Sequence, residues 1–498
     1  MPTTTRSNRR QFLSASGGTL AAAIAAPSIV SALALGRGAT APSDRVTVGI
    51  IGSGGRAVFE TRQYPSFDNV EIVAVCDAQE SRRISAKATL EKQYAEQRPD
   101  AAQRNIRMFS DFRELLTQKD IDAVYIAAPD HWHVSMLILA LQAGKHVHCE
   151  KPLGVSVEQD LAALKAARKY KKVFQYGAEL RSNPDTRKGI ELVLNGRIGK
   201  VQKIYVVGPP SATGGSATPV IPIPKGFDYD MWLGPAPVKP FSVDRCLQGS
   251  NDPSSPYNGR NSIYYLSDYT LGNIANWAAH PLDQVQRWAD AVGRTDPPVH
   301  YEGSGKFPSE GLFDTAYQWN VRCKWADGLV LDFMDTDTYH ALPDAPHPAY
   351  VWNKDANGAD AARMPNGAVF VGTEGWVIVN YGKVLTNPAS LMDSVIGPRE
   401  IRLHDSALAS VPESLPKGFQ QTLTAGHHQD WIRAIRTGSP VADDIESAFR
   451  SDMVSQLSDL CIRTGEPVRW DPANETIDGN EMARMMMRRA MRAPWGVA

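Results

Sequence analysis

The stretch "RVTVGIIGSGGRA", residues 45–57, most narrows what this chain can become. An apolar, β-branched run ending in closely spaced glycines predicts a strand that enters a tight turn. Gly52 and Gly54 hold the first two positions of G-x-G-x-x-G/A, and Ala57 holds the third. Glycines placed this way let the backbone turn and approach a pyrophosphate, which then rests on the N-terminus of the following helix. Further short β-rich runs are "VEIVAV" (70–75), "AVYIAA" (123–128) and "HVHC" (146–149), while 82–98 and 133–143 carry helical composition and length. This alternation predicts a parallel sheet covered by helices. Another helix is expected after Ser156, whose hydroxyl caps it while Gln159 completes a capping box.

Asp77 closes the second of these runs, where an acid binds the ribose 2′ and 3′ hydroxyls. With a carboxylate there and Ala78 next to it, NAD is favoured over NADP as the cofactor. "APDHWH" (128–133) lies at the end of a predicted strand, where ligands of open α/β sheets bind, so Asp130 and His133 are candidate cofactor contacts through hydrogen bonding and ring packing. The pairs His131/His133, His146/His148 and His427/His428 lack a carboxylate or cysteine at ligand spacing, and no metal is expected. In "HVHCEKPLG" (146–154), Pro152 fixes a turn directly after a strand, which sends Lys151, beside Glu150, into the dinucleotide crevice and makes Glu150, Lys151 and Pro152 candidate cofactor contacts. A lysine near a nicotinamide is partly desolvated and close to a positive ring. Both effects lower its pKa and suit it to hydrogen-bond, or exchange a proton with, a reacting hydroxyl.

From about residue 173 the grammar changes. Residues 208–261 are crowded with Pro, Gly, Ser and Asn and predict a long ordered loop, whereas "VRCKWADGLVLDFM" (321–334) predicts two strands around an Asp327-Gly328 turn and "GWVIVNY" (375–381) another strand. The fold class expected is therefore α/β followed by α+β: a Rossmann dinucleotide-binding domain at 45–170, then residues 171–498 built on a large, mainly antiparallel open sheet. The formal net charge of -1 argues for neither nucleic acid nor an anionic membrane surface as partner and favours a small, weakly charged substrate. Five scattered cysteines without CxxC spacing read as buried free thiols.

The N-terminus stands apart. "NRRQFL" (8–13), a mildly apolar run and Ala32-Leu33-Ala34 together resemble a twin-arginine export signal over 1–34, followed by a linker at 35–44. The run is interrupted by Gly17, Gly18 and Pro27, so no membrane span is expected in the mature chain. The expectation is export by the twin-arginine machinery, to the periplasm or beyond.

The order of glycine turn, Asp77, "APDHWH", "AGKHVHCEKP" and "NWAAHPLD" (276–283), with "LVLNGRIGKV" (192–201), "MWLGPAP" (231–237) and "GTEGWV" (372–377), resembles the glucose-fructose oxidoreductase and inositol dehydrogenase family, Gfo/Idh/MocA. That resemblance implies an NAD-dependent oxidoreductase acting on a sugar, cyclitol or related polyol, and a homo-oligomer associated through the open sheet face. It implies Lys151 as the catalytic lysine of EKP, Glu150 near the nicotinamide ribose, and His280 as the histidine of D-x-x-x-H. Many members carry aspartate where this chain has Asn276. An amide can orient a substrate or imidazole but cannot stabilise an imidazolium as a carboxylate does, which leaves the choice of base between His280 and Lys151 open. Arg181 in "LRSNP" and Asp268 in "LSDYTLG" are candidates for the sugar side of the cleft. Two other classes stay open: redox-neutral cleavage of a glycoside through a transient keto-sugar, and a non-catalytic sugar-binding member of the fold.

Overall fold

A computed structural model describes residues 40, 44–98, 105–215, 219–246, 262–346, 353–354, 360–361, 367–380, 383–406 and 419–496. The proposed signal at 1–34 and nearly all of the linker lie outside the described residues, as do parts of the 208–261 segment.

The first sheet is built from β1 (Val46–Ile51), β2 (Val70–Cys76), β3 (Arg107–Phe109), β4 (Ala123–Ile126), β5 (His146–Cys149) and β6 (Phe174–Tyr176). All of its pairings are parallel and its order is β3-β2-β1-β4-β5-β6, the doubly wound arrangement. Strands such as β4, buried at every position, read as continuous apolar runs because helices cover both faces. The helices include Gly55–Thr61, Glu80–Gln97, His133–Gln142 and Val157–Tyr170. Ser156 Oγ accepts the Gln159 amide at 3.3 Å as expected, but the Gln159 side chain returns to the amide of Val155 rather than that of Ser156.

Strand β6 corrects the domain boundary expected at residue 170. The sheet continues through Tyr176, and three residues, "FQY", are too few to show an alternation that sequence could reveal.

The second sheet contains β7 (Val201–Gly208), β8 (His300–Lys306), β9 (Gln318–Lys324) and β10 (Val330–Asp335); β11 (Asn353–Lys354) and β12 (Asp360–Ala361) form a separate ribbon. With β13 (Gly367–Gly372), β14 (Trp376–Asn380), β15 (Lys383–Asn387), β16 (Val468–Asp471) and β17 (Thr476–Asp478), the nine-stranded order is β15-β14-β13-β7-β10-β9-β8-β16-β17. Among the described strands of this sheet, only β7 and β10 pair in parallel; the other pairings are antiparallel. Along β9, Trp319, Val321 and Cys323 point inward while Asn320 and Arg322 are exposed, the alternation of a sheet with one solvated face. Helix Ala279–Ala291 packs on β7 and β13, and helix Ile445–Thr464 on β8 and β9.

Residues 46–498 form one compact unit, and helix Phe419–Thr437 returns to the first sheet, where His428 Nδ1 lies 2.6 Å from the Tyr64 hydroxyl. All five cysteines are free and buried. Among the described residues, no helix is long and apolar enough to cross a membrane.

Candidate active site

The site forms where strand order reverses, between β1 and β4, because the chains leaving adjacent strands diverge there and open a crevice. Gly52 adopts φ +83°, and a Cβ at that position would come within 2.6 Å of the Ala127 carbonyl group. Only glycine therefore lets the turn pass under the end of β4. Gly54 precedes helix Gly55–Thr61 in extended conformation, and Ala57 is buried against the sheet.

Asp77 is held across this turn. Its Oδ2 accepts the Ser53 amide and its Oδ1 the Gln79 amide, both at 2.9 Å. Gly52, Gly54, Asp77 and Ala78 line one cavity together with Arg82 and Trp232, the latter from the 208–261 segment. A second cavity of about 250 Å³ lies on the other side of Ala127–Pro129 and contains Lys151, Asn276 and His280. The two meet along the strand ends, as the adenosine and nicotinamide halves of one dinucleotide require. The residues present fit NAD, with Asp77 placed for the adenosine ribose and Glu150 and Lys151 for the nicotinamide side.

Lys151 Nζ donates to Asn276 Oδ1 at 2.9 Å. The sequence pairs Asn276 with the imidazole or the substrate; in the structure the amide meets the lysine instead. Asn276 Nδ2 in turn donates to Asp130 Oδ2 at 2.9 Å, and the Thr270 hydroxyl donates to the same oxygen at 2.7 Å. Asp130, expected as a cofactor contact, thus faces the Lys151–Asn276 pair. Burial raises the pKa of its carboxyl, against the lowering effect of His133 and Lys151. Burial lowers that of Lys151, with Glu150 opposing and Arg56 reinforcing the shift.

His280 stands at the start of helix Ala279–Ala291, and burial pushes its pKa down to about 4, so the ring is neutral at neutral pH. The Trp277 ring, about half exposed, lies 6.4 Å from the imidazole between centroids and lines the same cavity. Sequence reading missed Trp277, Thr270 and Arg56. Arg56 leaves the glycine turn and pairs with Glu60 at 2.9 Å, Glu150 at 3.0 Å and Glu179 at 3.1 Å. Its place inside "GSGGRA" was the one available signal.

Other expected contacts are corrected. Pro152 shapes the turn without lining either cavity: its peptide with Lys151 is cis, and its carbonyl lies 2.7 Å from His133 Nδ1. His133 Nε2 lies 2.9 Å from the Ala128 carbonyl, so both ring nitrogens face backbone and the ring packs at the cavity's edge. Arg181 does not face the sugar side. It is buried and grips Asp283 with Nε at 2.8 Å and Nη2 at 2.6 Å, with Asp443 at 3.4 Å, so it anchors the helix that carries His280. Burial opposes its charge, but Asp283 and Asp443 raise its pKa above the ordinary value. Asp268 pairs with Arg245 at 2.8 Å and lines a different cavity, beside His131 and Arg489. Among the described residues, no three His, Cys, Asp or Glu side chains converge on a metal position.

Glycine turn, terminal acid and cleft lysine meet in one crevice of a two-domain α/β fold with a dinucleotide-binding first domain. The Gfo/Idh/MocA oxidoreductase family matches at residues 46–178 with its NAD-binding Rossmann fold and at 211–328 with its C-terminal alpha/beta domain, and the chain belongs to this family. It is 32% identical over 160 residues to D-glucoside 3-dehydrogenase of Escherichia coli K12, covering 32% of this chain and 42% of that protein. It is 34% identical over 164 residues to a glycosyl hydrolase family 109 protein of Shewanella baltica OS185, covering 30% of this chain and 35% of that protein. The chain thus spans well under half the length of these curated relatives. Among solved structures, levoglucosan dehydrogenase in complex with NADH and levoglucosan shares the fold at TM-score 0.54 and 16% identity, over 85% of this chain and 99% of that one. GenD2 from gentamicin A biosynthesis in complex with NAD does so at TM-score 0.55 and 15% identity, over 87% and 98%.

Proposed function

We propose that this chain oxidises a hydroxyl of a sugar, cyclitol or related polyol. The observation that carries the reading is that Lys151, Asn276 and His280 line one cavity, reached from the glycine turn along the strand ends. Gly52, Gly54, Asp77 and Glu150 would hold NAD, which when bound would supply the acceptor for the hydride of the carbinol carbon. His280, neutral at neutral pH, takes the hydroxyl proton on the ring nitrogen that carries a lone pair. Lys151, directed by Asn276, donates a hydrogen bond to the substrate oxygen and steadies its developing negative charge. Trp277 offers a flat apolar face on which the C–H face of a saccharide ring packs.

The test is a panel of monosaccharides, glycosides and cyclitols, read by reduced-nicotinamide absorbance and by chromatography of products. Lys151→Ala and His280→Ala are expected to lose about a hundredfold to ten-thousandfold in turnover while retaining NAD. Activity within about threefold of the parent in both variants would sink these roles.

A second reading, redox-neutral glycoside cleavage through a transient keto-sugar, is favoured by the similarity to the family 109 glycosyl hydrolase. Release of a sugar without net NADH distinguishes it.

The reading also includes export. A twin-arginine signal at 1–34 carries a folded chain, and so a bound dinucleotide, to a place with no pool to replace it. NAD is then tightly held and recycled in place by a second substrate or by the same sugar. Cell fractionation and the nucleotide released on denaturing the dialysed protein test this; far less than one nucleotide per chain, with strict dependence on added NAD, would refute it.

A further inference from the structure

We infer that Asp130 is a positioning residue for Lys151, acting through the side-chain amide of Asn276. The inference deepens the proposed oxidation and rests on it for the lysine's role, but not for the geometry.

An ammonium has only donors and an ionised carboxylate only acceptors, so an amide between them has a single orientation that satisfies both. Asn276 adopts it, with Oδ1 toward Lys151 and Nδ2 toward Asp130, each at 2.9 Å. The far end is locked as well. Thr270 Oγ1 donates to Asp130 at 2.7 Å while accepting the Gly272 amide at 3.1 Å, which directs its hydrogen to the carboxylate. Asp130, Asn276 and Thr270 are all buried, so water does not loosen the chain. One of three Nζ donors is thereby committed and the ammonium's direction set, leaving two for a substrate oxygen. An aspartate at position 276 with Asp130 retained would set two carboxylates at one hydrogen-bond distance; exchanging the two residues restores one carboxylate and one amide.

Lys151 also senses Glu150, Arg56 and Glu179, and faces His280. Removing the Asp130 charge alone from this set favours the neutral amine; the exchange puts a carboxylate directly on the lysine and favours the ammonium.

The experiment uses the full chain and three variants, Asp130→Asn, Asn276→Asp and the double exchange. Acetic anhydride labelling of Lys151 across pH, resolved by peptide mass spectrometry, needs no known substrate. Asp130→Asn is expected to label about threefold faster or more at neutral pH, the change that half a pKa unit produces, and the exchange at or below the parent rate. Asn276→Asp alone strains the pair, so the exchange is decisive. Labelling of Asp130→Asn at the parent rate, or of the folded exchange variant at the Asp130→Asn rate, overturns the inference. With a substrate in hand, Asp130→Asn should lose about tenfold in kcat with its KM for NAD unchanged, and the exchange should recover most of it. Labelling that follows the expected order while no hydroxyl is oxidised supports the positioning role and refutes the oxidation; oxidation with unchanged labelling does the reverse.

Discussion

The Arg56 guanidinium, which leaves the glycine turn, donates from Nε to Glu150 Oε1 at 3.0 Å, the carboxylate that immediately precedes the cleft lysine. The turn after β1 is thereby tied to the turn after β5. Glu150 also accepts from the Tyr125 hydroxyl at 2.7 Å. Burial opposes ionisation of this carboxyl, but Arg56 and Lys151 hold its pKa below the usual range.

Replacing Arg56 with Met leaves Glu60, Glu150 and Glu179 without their shared cation. Because the arginine side chain keeps about a third of its exposure, the expected loss is roughly 2 kcal/mol rather than the full cost of breaking a deeply buried pair. In the variant the clustered carboxyls take up protons more readily, which relieves their repulsion. Denaturant midpoints should therefore differ more between parent and variant at pH 8 than at pH 5, and an equal difference at both would contradict this account.

In the proposed reading, cofactor choice rests on Asp77. Both its oxygens already accept backbone amides, which aims the remaining lone pairs into the cavity. Calorimetry should show the parent preferring NAD, and Asp77→Ala binding it about tenfold to a hundredfold more weakly. Arg82 lines the same cavity, so the variant should gain relative affinity for NADP. A parent that binds NADP more tightly would overturn the assignment.

Arg181→Ala is expected to act on folding rather than on substrate. It strands Asp283 and Asp443, both fully buried, and should cost about 3–5 kcal/mol. KM measured on the fraction that remains folded should stay within about twofold of the parent; a large rise in KM with unchanged stability would return Arg181 to the sugar side.

The buried histidines set an acid limit. Burial pushes His131 and His428 down to about 3, and His146 and His280 down to about 4. Unfolded, each protonates near the ordinary value of about 6.5, so unfolding takes up protons below that pH. Their contribution is intact above about pH 6.5 and is lost as pH falls toward 4, at about 1.4 kcal/mol per pH unit for each ring. Asp160 and Asp443, whose buried carboxyls hold protons above the ordinary range, work in the opposite direction. The difference between parent and His428→Gln therefore isolates the effect: over pH 6.5 to 4 the variant's stability should slope less by about one proton. Parallel slopes would show that His428 is already charged in the folded state.

Local chemistry made the first domain legible. A β-branched run, a glycine that must take positive φ and an acid at the next strand end each constrain backbone within a few residues, so the glycine turn, Asp77 and the EKP turn stand where the chain itself predicts them. The hairpin around Asp327-Gly328 was readable for the same reason. Partnership between distant side chains was not. Lys151 and Asn276 lie 125 residues apart, Asn276 and Asp130 146, and Arg181 and Asp283 102. Nothing local distinguishes an arginine that binds a sugar from one that clamps a helix, or an asparagine that serves a histidine from one that bridges a lysine to a carboxylate. Those roles follow from which donors and acceptors are buried together, because a buried polar group must find its partner wherever packing leaves one, and only the folded chain brings those groups within reach.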